Sequence, residues 1–170
     1  MKLVPVLVVL ISVVACVTDL RSRRIPNVLT LGGALAALVY HATSGGVVGL
    51  LIASSGWIVG LALFFLPYAL GGMGGGDVKL LAALGAWLGP LGAVWLALYT
   101  GLAGGVLAIG VAWRRGYLPV ALKNVWLLLA HWRVVGIAPL AEVSFAGNSG
   151  PRLAYAVPIL IGTVVTVWLH

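Results

Sequence analysis

The chain has 170 residues, of which 62% are hydrophobic and 8% are charged. This composition is typical of an integral membrane protein and excludes an ordinary soluble domain. The single cysteine, Cys16, excludes an internal disulfide and a zinc site built from several cysteines. A net charge of +7 would also fit a nucleic-acid-binding protein, but the positions of the basic residues argue against that class.

Charged residues divide the sequence into four long apolar segments, at 3–18, 25–76, 80–113 and 153–170. A spanning helix needs about 20 residues, so these segments predict one, two, two and one spans. Glycine and proline at 41–46 ("HATSGG") and 88–92 ("LGPLG") should interrupt the two longer segments. The predicted fold is an all-α bundle of about six transmembrane helices forming one domain, 1–170. The spans are expected at roughly 3–19, 27–41, 46–70, 77–89, 91–113 and 153–170, with a cytoplasmic loop at 114–152.

The basic residues predict how this bundle is oriented. In the six-span arrangement only Lys2 lies on one side, and the other lysines and arginines lie on the opposite side: Arg21, Arg23, Arg24, Lys79, Arg114, Arg115, Lys123, Arg133 and Arg152. The positive-inside rule makes that second side cytoplasmic. Both termini are then extracytoplasmic, in the cell inner membrane. The basic side would face anionic lipid headgroups, and nucleic acid is not an expected partner.

The segment between the fifth and sixth predicted spans contains an apolar, tryptophan-rich stretch, Leu118 to Trp132. Lys123 and His131 interrupt it, which favours a helix at the membrane interface over a seventh span. A seventh span would also move the C-terminus to the cytoplasmic side.

Acidic residues are scarce: the chain has only Asp19, Asp77 and Glu142. Asp19 ends the first predicted span and Asp77 begins the fourth, so both lie on the predicted cytoplasmic side. Carboxylates at membrane helices are costly and usually functional. Glu142 lies alone in the basic loop, where a surface ion pair is the expected role.

Two carboxylates held close together share a proton, and this pair could hydrolyse a peptide bond. The ionised carboxylate takes a proton from water while the protonated one supports the attacked carbonyl. This chemistry needs no metal, no cofactor and no covalent intermediate. The sequence has no H-E-x-x-H zinc motif, and no histidine inside a span that would serve a serine nucleophile.

The residues around the aspartates suggest supporting roles. Five of the six residues at 71–76 are glycine, including Gly74, Gly75 and Gly76. Glycine permits close approach of a substrate backbone, although a flexible turn is the alternative. Pro26 should fix the entry to the second span, with Asn27 as its N-cap. Lys79 is interpreted either as a substrate-positioning residue or as a topology signal.

These motifs resemble those of the type IV prepilin peptidases, the GxGD-type membrane aspartic peptidases. The matching residues are Asp19, "IPN" at 25–27, Gly74 to Asp77 and Lys79, with "RLAYAVPI" opening the last span. The resemblance implies that Asp19 and Asp77 are the catalytic pair and that a prepilin or pseudopilin leader is cut after a glycine. Within this family, the chain resembles the short members associated with tight-adherence pili. It has no C-x-x-C, so the resemblance does not extend to N-methyltransferase activity.

Two other functions stay open at this point. A small proton-coupled transporter would use the aspartates as a relay, but it needs a path to both membrane faces. A non-catalytic scaffold of a pilus assembly platform would use them as helix caps. Asp19 lies at the C-terminal end of its span, which is the wrong end for an N-cap.

Overall fold

A computed structural model of the protein describes residues 3–69, 72–136 and 154–170. Regular structure in these ranges is entirely helical, which confirms the all-α prediction. The helices are α1 (Leu3–Ser22), α2 (Asn27–Ala69), α3 (Gly75–Arg114), α4 (Leu118–Val135) and α5 (Ala156–Leu169). The predicted roles of Glu142 and Arg152 lie outside the described residues.

Three helices, α1, α2 and α3, are long and apolar enough to cross a membrane. The chain is therefore a multi-pass membrane protein. The prediction of six transmembrane helices is wrong for this structure, which has five helices in its described ranges. The final predicted span at 153–170 is represented by α5, whose 14 residues fall below the length of about 17 to 25 expected of a spanning helix.

The helix count differs because two predicted turns occupy only one residue each. Gly46 has φ 59° and ψ −141°, and Gly89 has φ 74° and ψ 177°. Both φ angles lie in the region that glycine reaches without steric cost. The helical pattern resumes immediately after each glycine, so predicted spans two and three merge into α2, and spans four and five merge into α3. Both interruptions fall inside the predicted turn segments.

α2 folds back on itself at Gly46. Gly33 and Gly60 would be about 40 Å apart in a straight helix. Instead the Gly33 carbonyl accepts a hydrogen bond of 2.9 Å from Trp87 Nε1 of α3. A Cβ added at Gly60 would lie 3.0 Å from the Cα atom of Ala82, also in α3. Both halves of α2 therefore pack against the same first half of α3.

The first half of α3 is the centre of the core. The segment 80–87 is buried on every side, from Leu80 to Trp87. A helix that is apolar all round is expected to be surrounded by other elements. Asp77 lies at the start of this central helix, so its position is fixed by the packing of the core.

α5 runs along the second half of α3. Gly162 lies against the backbone of Thr100, and Pro158 lies 3.7 Å from the position of a Cβ at Gly104. The residue numbers fall in α3 as they rise in α5, so the two segments are antiparallel. α5 also packs against α1 and thereby connects α1 to α3.

α4 covers the stretch for which an interfacial helix was predicted and ends at Val135, three residues beyond Trp132. It is not among the candidate membrane-spanning helices. A location at the membrane interface stays a prediction.

The close contact between α2 and α3 predicts a strong effect of adding one methyl group at Gly56. The added Cβ would contact the Gly85 carbonyl oxygen and lie 2.8 Å from the carbonyl carbon of Gly89. Because both neighbours are backbone atoms, Gly56→Ala should lower the free energy of unfolding by roughly 1–3 kcal/mol. SDS-induced unfolding in mixed micelles, followed by circular dichroism, measures the change.

Gly101→Ala is the matched control, because a Cβ at Gly101 meets nothing within 4 Å. Alanine is the better helix former, so this variant should be neutral or more stable by up to about 1 kcal/mol. Equal destabilisation by the two substitutions would contradict the packing described here.

Candidate active site

Asp19 lies one turn before the end of α1, and the helix end fixes its backbone. Arg23 follows the helix with φ 54°, a left-handed conformation. Its N–H donates a hydrogen bond of 2.8 Å to the Asp19 carbonyl. This is the bonding pattern of a left-handed helix C-cap, which glycine usually provides. The chain therefore turns sharply just after Asp19 and leads towards α2.

Asp77 lies in the first turn of α3. Gly74 is the N-cap residue, with extended backbone angles of φ −79° and ψ 146°. The Gly74 N–H donates to Asp77 Oδ2 at 3.3 Å, and the Asp77 N–H donates to the Gly74 carbonyl at 3.1 Å. A carboxylate is also favoured by the partial positive charge of a helix N-terminus. The local sequence Gly-x-x-Asp thus orients the Asp77 side chain through bonds within the first turn of its own helix.

The structure brings the two aspartates together. Asp19 and Asp77 are each 9% exposed, and their charges interact electrostatically. They are the only acidic side chains in the described part of the chain. They come from different helices, α1 and α3, and meet at one end of the bundle. Two buried carboxyl groups that influence each other electrostatically are the arrangement in which sharing of one proton is expected.

Gly74, Gly75 and Gly76 were predicted as supporting residues, and each allows a different neighbouring group to pack against its Cα atom. A Cβ at Gly74 would lie 3.0 Å from Asp77 Oδ2. Added Cβ atoms at Gly75 and Gly76 would lie 3.4 Å from the Tyr68 ring and 3.4 Å from Ile25 Cβ. α3 begins at Gly75, two residues before the predicted start at Asp77. Gly75 and Gly76 are therefore helical residues that admit packing against the end of α2 and the α1–α2 connection.

The predicted N-cap role of Asn27 is wrong. α2 begins at Asn27 itself, and the Pro26 carbonyl accepts hydrogen bonds from the N–H groups of Leu29 and Thr30. The N-cap position is therefore occupied by Pro26. Asn27 is thus the first residue of α2, and its Oδ1 accepts a hydrogen bond of 3.2 Å from Lys79 Nζ.

Lys79 thus connects the start of α3 to the start of α2. Both Lys79 and Asn27 are exposed. The contact joins the segment that follows Asp19 to the segment that carries Asp77. A role of Lys79 in placing a substrate stays a prediction.

Sequence reasoning did not assign a role to Tyr155. This residue immediately precedes α5 and lies near Asp77, where burial and then the Asp77 charge raise the pKa of its hydroxyl. No spacing in the sequence connects positions 77 and 155. The packing of α5 along α3 brings position 155 within electrostatic influence of Asp77.

The family model for the type IV leader peptidase family matches residues 6–109. The chain belongs to the type IV leader peptidase family. The matched segment contains both aspartates, the three glycines and the Asn27–Lys79 contact. Tyr155 lies outside it.

Two similar proteins carry the name prepilin leader peptidase/N-methyltransferase. They come from Aeromonas salmonicida strain A449 and from Aeromonas salmonicida. Each is 37% identical to the chain over 108 residues, which covers 58% of this chain and 36% of the relative. The chain thus spans about a third of the length of the curated relatives it matches. No solved structure matches it.

For this member of the leader peptidase family, the Lys79–Asn27 hydrogen bond predicts a small but measurable coupling free energy between the two side chains. A double-mutant cycle compares the unfolding free energies of the native protein, Lys79→Met, Asn27→Ala and the variant that carries both changes. Because the bond is exposed, the coupling should be about 0.5–1 kcal/mol. SDS-induced unfolding gives the four values. A coupling of zero, or one above about 2 kcal/mol, would contradict an exposed bond between α2 and α3.

Proposed function

We propose that this protein is a membrane-embedded aspartic endopeptidase that removes the short leader from prepilins or pseudopilins at the cytoplasmic membrane face. The observation that carries the proposal is the pair of buried aspartates, Asp19 and Asp77, inside the segment that matches the leader peptidase family. Leader removal is the activity in the names of the two similar proteins. Methyl transfer is not part of the proposal.

In the proposed reaction the pair begins with one proton between two carboxylates. The ionised carboxylate takes a proton from a water molecule as its oxygen attacks the scissile carbonyl. The protonated carboxyl group gives its proton to the carbonyl oxygen, which yields a neutral tetrahedral diol. As the diol collapses and the C–N bond breaks, the protonated carboxyl gives its proton to the leaving amine nitrogen, and the ionised carboxylate takes a proton from one diol hydroxyl, whose oxygen becomes the carbonyl oxygen of the new carboxyl group. The pair ends with the one proton it held at the start.

The local structure supports this assignment in two ways. Each aspartate is held by its backbone: Asp19 through the bond from Arg23, and Asp77 through its bonds with Gly74. Burial lowers the effective dielectric constant, so the electrostatic interactions between the two carboxylates and a bound substrate are stronger than in water. A pair held in a fixed orientation loses little energy to reorganisation during the reaction.

The approach to the pair supports a peptide substrate. Gly74 is exposed, although Asp77 beside it is buried. No side chain at Gly74 blocks this side of the carboxylate. We therefore place an extended substrate backbone beside Gly74, with its scissile carbonyl directed at the aspartates.

The orientation in the membrane is part of the proposal. Arg21, Arg23 and Arg24 follow Asp19 directly, and Lys79 lies at the same end of the bundle. The positive-inside rule makes this end cytoplasmic in the inner membrane. We also propose that both termini are extracytoplasmic and that the protein is of the short tight-adherence subtype.

The competing functions receive less support from the structure. A proton relay needs titratable groups along a path through the membrane, but both described acidic side chains lie at one end. Towards the opposite end, Trp87 is buried and packs against the ring of Tyr40. A scaffold that used the aspartates only as caps would not require two buried carboxylates to meet.

Asp19→Asn and Asp77→Asn should each abolish leader removal, because either change leaves the pair without one of its two proton-transfer groups. Membranes containing each variant are mixed with a prepilin, and the mass of the prepilin is followed. Native protein should produce the mass of the shortened pilin. The loss for each variant should be at least about a thousandfold in rate.

Glu142→Gln is the matched control, since it neutralises the one other acidic side chain in the chain. It should cleave like native protein, and all variants should insert in equal amounts. Cleavage by either aspartate variant at a native rate would contradict the proposal. So would failure of native protein to cut any prepilin tested.

Gly74→Ala should reduce leader removal by about tenfold, because the new methyl group would lie 3.0 Å from Asp77 Oδ2 and force the carboxylate to move. Gly105→Ala is the control, since a Cβ there meets nothing within 4 Å. Initial rates of prepilin cleavage measure both. Equal rates for the two variants would show that the position of the Asp77 carboxylate is not restricted by Gly74.

A further inference from the structure

Residues 23–26 form the α1–α2 connection, and the reaction proposed above gives this segment no role. The connection begins at Arg23, whose N–H donates a hydrogen bond of 2.8 Å to the Asp19 carbonyl. It ends at Pro26, directly before Asn27, the first residue of α2. Because the connection is short and bonded to the last turn of α1, a displacement of this segment would also displace Asp19.

The connection and the residue after it contact the start of α3 at two points. A Cβ added at Gly76 would lie 3.4 Å from Ile25 Cβ and 3.7 Å from Ile25 Cγ1, so the Ile25 side chain packs on the Cα atom of Gly76. Asn27 Oδ1 accepts the hydrogen bond of 3.2 Å from Lys79 Nζ. Gly76 precedes Asp77 and Lys79 follows it. The two contacts therefore lie on either side of Asp77 along α3.

The contact made by Ile25 is the more strongly restricted of the two. Ile25 is half-buried and packs against the apolar core, whereas Asn27 and Lys79 are exposed. An exposed hydrogen bond competes with water, so it contributes little to holding two segments together. An apolar side chain packed against a glycine keeps water out and fixes how closely the segments approach. Ile25 should therefore determine where the connection lies.

The helix α1 needs such a support at its Asp19 end. α1 packs more extensively against α5 than against α2 or α3. Asp19 is nevertheless almost fully buried, and it belongs to the last turns of α1. The contact through Ile25 is a short route by which the start of α3 holds this end of α1.

We propose that Ile25 is a positioning residue: by packing on Gly76 it holds the α1–α2 connection against the start of α3 and thereby keeps Asp19 beside Asp77. Gly76 is the matching part of the contact, because a side chain there would push Ile25 away. The consequence for cleavage rests on the proposed endopeptidase function. The contact itself does not.

The contact is tested without any substrate by a disulfide. The full-length protein carrying Ile25→Cys and Gly76→Cys is oxidised mildly in detergent. Linked cysteines have Cβ atoms about 3.5–4.5 Å apart, close to the 3.4 Å found here, so the bond should form in most molecules. Mass spectrometry of the linked peptides distinguishes it from a bond to Cys16, which is buried. Val28→Cys with Gly76→Cys is the control and should stay unlinked, since Val28 is 84% exposed.

The consequence for catalysis is tested with Ile25→Ala, which removes the side chain beyond Cβ. Prepilin cleavage should show a kcat about tenfold lower, with KM within about twofold of the native value, because the carboxylates are displaced and substrate contacts are not. Ile25→Val keeps the branched Cβ and should stay within about twofold of the native kcat. Val28→Ala truncates an exposed neighbour and should match native protein.

The pH profile of kcat/KM separates positioning from a loss of folded protein. The closer two carboxyl groups lie, the further apart their two apparent pKa values are. If Asp19 moves away from Asp77 in Ile25→Ala, the two limbs of the bell-shaped profile should approach each other by at least about half a pH unit. A loss of folded protein would lower the rate at every pH and leave both limbs in place.

Failure of the 25–76 disulfide to form would overturn the proposal, and so would equally ready linkage of the Val28 control. A native kcat for Ile25→Ala, a loss mainly in KM, or a lower rate with unshifted limbs would overturn the positioning role. Activity retained by Asp19→Asn or Asp77→Asn would instead count against the proposed function. The disulfide result does not depend on cleavage, so the two failures are distinguishable.

Discussion

The structure depends on the placement of two carboxylates, almost fully buried, at one end of an apolar helical bundle. Burying an unpaired charge costs several kcal/mol, so such a pair persists only when proton sharing or hydrogen bonds offset that cost. Both aspartates lie where helix ends supply backbone groups. The Asp77 carboxylate accepts from the Gly74 N–H, whereas the bond from the Arg23 N–H goes to the backbone carbonyl of Asp19 and fixes the end of α1. The rest of the fold holds these two helix ends against each other.

Small residues make that arrangement possible. The first half of α3 is enclosed by both halves of α2, and Gly56 and Gly60 allow the helices to approach at backbone distance. Gly162 does the same between α5 and α3. In a membrane, where lipid tails compete with apolar side chains, such close backbone packing is a main source of helix association. Asp77 therefore lies just before the enclosed segment 80–87, and Asp19 comes from a different helix, α1.

Much of the fold was predictable from the sequence, because hydropathy and charge report directly on membrane helices. Both aspartates were predicted to lie at the same end, and the structure brings them together. The positions of the two interruptions were predictable, because Gly46 and Gly89 lie in glycine-containing turn segments, but the sequence does not show that each turn takes only one residue and leaves a single helical element. The Asn27–Lys79 contact and the position of Tyr155 also could not be predicted. Both depend on tertiary packing between distant segments, and residue spacing carries no information about that packing.

The most direct test of the central claim, that Asp19 and Asp77 act as one proton-sharing unit, is the pH dependence of prepilin cleavage by the purified protein. A pair that must hold one proton is inactive when it holds none or two. The account therefore predicts a bell-shaped profile of kcat/KM, with a single maximum and a fall on both sides. A rate that rises with pH to a lasting plateau would show that one base acts alone, and it would contradict the shared-proton pair.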